Sequence, residues 1–135
     1  MADEILATLA LVAAKGGASI EAESMTITMD MTGADMASWT QSIGTSNEAL
    51  DVPADLAAPC HMLIKNLDAT NYVEIFSDNA NAELVSKLRP GEACFICNWD
   101  VTGYARANTA ATLIQVWACF FHLFYLCLVS CFFPH

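Results

Sequence analysis

Turn-forming clusters interrupt this chain about every 8–12 residues, a spacing too short for a fold built on helices. Between the clusters stand short runs in which apolar and polar residues alternate. The clearest is 20–31. There Met25, Ile27, Met29 and Met31 fall on one side of an extended chain, and Thr26, Thr28 and Asp30 on the other. Successive side chains of a strand point to opposite faces, so this alternation predicts a half-buried strand. A stripe of methionines at that spacing is expected to be core rather than a metal or partner site.

The remaining text reads the same way. The apolar run 9–14 meets Lys15-Gly16-Gly17, and two glycines between apolar runs favour a hairpin because glycine accepts positive φ. In 38–43, Trp39, Gln41 and Ile43 share a side. Short strands are predicted over 60–65, 72–76, 82–88, 93–99, 104–106 and 111–117. The stretch 66–71 is Asn-Leu-Asp-Ala-Thr-Asn, rich in side chains that bond their own backbone in turns. Arg89-Pro90-Gly91-Glu92 is a tight turn: Pro fixes φ and Gly tolerates the left-handed region. The expected fold is all-β, a β-sandwich or jelly roll of about 7–9 short antiparallel strands.

Composition adds exclusions. A chain of 135 residues is one domain's worth, and 56% hydrophobic residues are enough to offset ordering entropy. A net charge of −10 argues against nucleic acid as a partner, since that needs Lys and Arg to displace counterions. Every charged residue lies between Asp3 and Arg106. The expected organisation is therefore a β domain over 1–118 and an uncharged apolar tail over 119–135. Residues 116–133 are interrupted only by His122 and Ser130 and reach the lower length limit for a membrane span, though no Lys or Arg flanks them. A membrane anchor is the third-ranked reading on that ground. The acidic start Met1-Ala2-Asp3-Glu4 is unlike a secretory signal, so the six cysteines are expected to be reduced.

Chemistry-bearing constellations are weak. Cys94, Cys97, Cys119 and His122 have the residue types of a tetrahedral zinc site. Residues three apart on a strand point to opposite faces, however, so no metal is expected. Cys60 and His61 are adjacent and would also face apart. The carboxylate pairs Asp51 and Asp55, or Asp68 and Glu74, could hold calcium, but a solvated acidic loop is the expected reading. Neither a phosphate loop nor a nucleophile elbow appears, so neither an enzyme nor a cofactor is expected. Trp39, Tyr72, Trp99 and Tyr104 could serve a carbohydrate- or protein-binding module as stacking platforms, against the competing reading that they are core.

Four segments carry a resemblance: Ile43-Gly44-Thr45-Ser46-Asn47-Glu48-Ala49-Leu50, then 65–75 (Lys-Asn-Leu-Asp-Ala-Thr-Asn-Tyr-Val-Glu-Ile), then Lys87-Leu88-Arg89-Pro90-Gly91-Glu92-Ala93, then Ala105-Arg106-Ala107-Asn108-Thr109-Ala110-Ala111. Together they resemble a group of small structural proteins of tailed bacteriophages, over about 24–118. The resemblance implies a virion-associated β-sandwich, made in the host bacterial cytoplasm, that self-associates and contacts other phage structural proteins as a capsid decoration, head–tail or tail-associated component. It brings no catalytic residues. Asn66, Asp68, Asn71, Pro90 and Gly91 would then be scaffold, shaping strand connections.

Overall fold

The computed structural model describes residues 4–21, 24–30, 35–56, 60–99 and 102–120, and every regular element among them is a β-strand. The chain divides into two compact units, Met1–Thr32 and Gly33–His135.

The first unit holds β1 (Glu4–Leu9), β2 (Val12–Lys15), β3 (Ala18–Glu21) and β4 (Met25–Asp30). β2 and β3 form the expected hairpin, closed by Gly16 and Gly17 at φ 61° and 85°. β1 and β4 pair antiparallel into a two-stranded ribbon, with Ile5 opposite Met29, Ala7 opposite Ile27 and Leu9 opposite Met25. Two expectations need correcting. The run 20–31 is not one strand: Ile20 belongs to β3, β4 begins at Met25, and Met31 lies outside the described residues. Nor is the methionine stripe core at Met25, which is 61% exposed. A two-stranded ribbon has no second layer of its own to cover its apolar face.

The second unit contains β5 (Met36–Ile43), β6 (Glu48–Ala49), β7 (Cys60–Asn66), β8 (Val73–Phe76), β9 (Leu84–Leu88), β10 (Ala93–Trp99), β11 (Tyr104–Ala107) and β12 (Thr112–Phe120). They make two four-stranded sheets, ordered β10-β7-β12-β5 and β6-β11-β8-β9. The pairings nest: β5 with β12, β6 with β11, β7 with β10, β8 with β9, all antiparallel. A long hairpin folded over on itself in this way is a jelly roll. The expected all-β class therefore holds. Among the described residues there are twelve strands against the 7–9 expected, because the N-terminal unit contributes four and β6 has only two residues.

Alternation explains the core. On β12, Ile114, Val116 and Ala118 are buried while Leu113 and Trp117 are exposed. On β7, Met62 and Ile64 are fully buried. They meet Val73, Ile75, Leu88, Ala105 and Ala107 from the other sheet in one cluster. β10 keeps its inward face past Ile96 only through a bulge that returns Trp99 to the inner side opposite Cys60. β12 continues through Ala118 to Phe120, so Cys119 is part of the sheet.

Candidate functional site

The scaffold motif closes one end of the sandwich. Asn66 ends β7 and is fully buried. Its amide nitrogen donates to the carbonyls of Asn71 (2.8 Å) and Leu88 (3.0 Å), and its oxygen accepts from the Asp68 N–H at 2.8 Å. One side chain thereby ties β7 in the first sheet to the ends of β8 and β9 in the second. A buried amide is tolerated because its polar atoms are bonded. The Asp68 carboxylate accepts the N–H groups of Asn71 (2.6 Å) and Thr70 (2.7 Å), which hold it below the ordinary carboxylate range. The Asn71 side chain in turn accepts from the Thr109 hydroxyl at 2.7 Å. Beside it, Pro90 and Gly91 form the expected turn. Gly91 has φ 77°, the Glu92 N–H donates to the Arg89 carbonyl at 3.0 Å, and the Glu92 carboxylate accepts from the Arg89 N–H at 2.8 Å. These values fit a type II turn.

Two further polar anchors were not singled out from the sequence. Gln41 is buried on β5 and donates to the Ala49 carbonyl (2.9 Å) while accepting from the Asp51 N–H (2.9 Å), so it joins the two sheets elsewhere. Its signal was a polar residue on the apolar side of an alternating strand. Asp78 accepts N–H groups from Ala80, Ala82 and Glu83 within the 77–83 loop, and that of Glu83 does most to lower its pKa.

The outer face of β6-β11-β8-β9 carries a charge ladder. Glu74 stands in register between Arg106 and Lys87. It pairs with Arg106 at 2.7 Å and with Lys87 at 3.6 Å. The Lys87 ammonium also sits 3.6 Å above the Tyr72 ring, and Arg106 lies over Phe76. Asp68 is thus occupied by backbone amides and Glu74 by two cations.

The outer face of β10-β7-β12-β5 differs. Phe95, Leu63 and Trp117 are adjacent in register across three strands. Leu63 and Trp117 are 39% and 40% exposed, and Leu113 is exposed on the same side. His61 shares that face, is buried, and stacks on Phe95 at 6.2 Å between centroids; burial lowers its pKa.

The aromatic candidates do not assemble into a platform. Trp99 is buried against Leu50 and Gly103, and Trp39 packs on the core from β5. Tyr72 has one ring face occupied by Lys87, while Tyr104 is half-buried on β11. Nor do the three described zinc-type residues, Cys94, Cys97 and Cys119, come together. Cys94 packs inward and its thiol is pushed up mainly by burial. Cys97 is exposed, and His122 lies outside the described residues. Among the described residues no group of metal-ligating side chains comes together. Cys60 is a core residue whose thiol is raised by burial and then by Cys119. The candidate span 116–133 begins inside β12, which pairs on both sides and buries Val116 and Ala118. Residues 121–133 lie outside the described residues, and no described helix is long and apolar enough to cross a membrane.

No family model and no curated protein matches the chain. A solved structure from work entitled "Bacillus endospore appendages form a novel family of disulfide-linked pili" is similar at a TM-score of 0.42 and 9% identity, covering 65% of this chain and 87% of that one.

Proposed function

We propose that this chain is a non-enzymatic building block of a tailed-phage particle: a capsid decoration, head–tail or tail-associated protein, made in the host bacterial cytoplasm and incorporated into the virion. It acts through self-association and contacts with other particle proteins. The observation that carries this reading is the outward row Phe95–Leu63–Trp117 on a jelly roll whose polar side chains are spent on holding loops. Contiguous exposed apolar surface marks an interaction site. The sequence resemblance over about 24–118 supports the phage setting. The buried Asn66 and the Asp68 turn support scaffold roles for the motif residues, with register rather than chemistry as their task.

Quantitative peptide mass spectrometry on purified particles tests the reading, using the tryptic peptide 66–87. High copy number is expected for a shell or tail-tube position, and low copy number for a connector or tip. Absence from particles, despite expression in infected cells, would overturn it.

A further inference from the structure

The assembly reading leaves open which surfaces meet. We propose that β5 is an open sheet edge that pairs antiparallel with β5 of a second copy, across a two-fold axis at Thr40, joining two four-stranded sheets into one of eight; this rests on the assembly reading above.

Unpaired strand edges recruit other chains, and proteins blunt them with short strands, charges or bulges. Among the described residues β10, β5, β6 and β9 end the two four-stranded sheets. Three of these edges are blunted. β6 has only two residues. β10 is bulged between Ile96 and Trp99. β9 carries Lys87, and its pairing with β8 shifts register between Ile75 and Phe76. β5 has none of these devices. It is eight residues long, without proline or charge, and keeps an unbroken register with β12 from Met36 to Ile43. Among the described residues, the main chain of β5 bonds to β12 alone. Its outward side chains are exposed, Met36 by 67%.

Charge and pattern select a second copy as the occupant. The chain carries −10, so two copies repel over most of their surfaces. β5 against β5 sets no charge opposite a like charge. With the axis at Thr40, Thr40 faces Thr40, Ser38 faces Ser42 and Ala37 faces Ile43. Facing positions are an even number apart, so outward side chains stay with outward ones and inner with inner. Ser and Thr set opposite one another hydrogen-bond across the strands. The nearest acids stand outside the paired span: Asp35 precedes β5, and after it the Glu48 carboxylate accepts the Gly44 N–H at 2.7 Å. The same strand meets itself, so the contact is isologous and closes as a dimer. The row Phe95–Leu63–Trp117 ends beside Ser38, and pairing brings two such rows onto one outer surface.

The test uses the full chain in sedimentation velocity. A residue on a two-fold axis faces its own copy, so Thr40→Lys and Thr40→Glu each set like charges together. Each is expected to weaken association at least about tenfold with the melting temperature unchanged, and an equimolar mixture of the two to restore it as a mixed pair. Variants that associate as tightly as the parent, or a mixture no tighter than either variant alone, would overturn the edge pairing while leaving the assembly reading intact. In the unsubstituted chain, hydrogen exchange of the β5 amides that face away from β12 is expected to slow as association proceeds; exchange there that ignores association would also overturn the pairing. A chain that is monomeric at every concentration would do the same, and its absence from particles as well would overturn the assembly reading too.

Discussion

Asn66 shows how one residue can hold two sheets. Asn66→Ala removes the partner of two carbonyls and one N–H at once, at a fully buried position. Each buried group left unpaired costs about 1–3 kcal/mol, so a loss of about 3 kcal/mol in urea unfolding is expected after partial rehydration. Gly103 is constrained by space rather than by φ. An added Cβ would lie 2.8 Å from Leu50 Cδ1 and 3.0 Å from Trp99 Cζ2. Gly103→Ala should therefore lower stability by about 1–3 kcal/mol, the usual range for overpacking, as read from the same unfolding curves. Asp68 and Asp78 give a pH dependence of definite sign. Both carboxyls titrate lower in the folded chain than in the unfolded one because backbone N–H groups bond the charged form. Their contribution is complete above the ordinary carboxylate pKa of about 3.9 and disappears as pH falls through the lower folded values. Denaturation midpoints measured from pH 6 downward should fall below about pH 4, and fall less steeply for Asp68→Asn combined with Asp78→Asn.

Elements differ in how firmly they are held. β12 pairs along its length with β5 on one side and β7 on the other, whereas among the described residues β2 and β3 pair only with each other. Hydrogen exchange should be slowest in β7 and β12 and fastest in the β2–β3 hairpin, because exchange follows local opening. Strand identity was legible at this scale: the alternation in 38–43 returns as β5 with Trp39, Gln41 and Ile43 on its inner side, and the short apolar strand expected over 60–65 returns as β7. Boundaries were less so. The run 20–31 reads as one strand only if its change of phase is overlooked: Ile20 and Ala22 are apolar at even positions and Met25, Ile27 and Met29 at odd ones, and the shift falls between β3 and β4. The two-residue strand β6 was invisible because its pairing is supplied by Tyr104 and Ala105.

At the scale of the whole molecule, Gly33–His135 carries the jelly roll and its core, while Met1–Thr32 is a separate compact unit of strands. Deleting 1–32 is expected to leave a cooperative thermal transition, read by circular dichroism, because the core cluster lies within the second unit. Loss of the transition would show that the ribbon completes the sandwich.

The sequence by itself determined the all-β class, the Gly16-Gly17 hairpin, the Pro90-Gly91 turn and the turn role of 66–71. These depend on local chemistry: the period-two geometry of an extended backbone, the φ range of proline and glycine, and the reach of Asn and Asp side chains to their own main chain. Only the tertiary structure decided that β5 closes on β12 and β7 on β10, that Asn66 and Gln41 bridge the sheets, and that Trp99 is core rather than platform. Those outcomes turn on partners distant in the chain. The burial of a side chain is set by what the rest of the fold places over it, and a strand's own alternation says which face is apolar without saying what covers it.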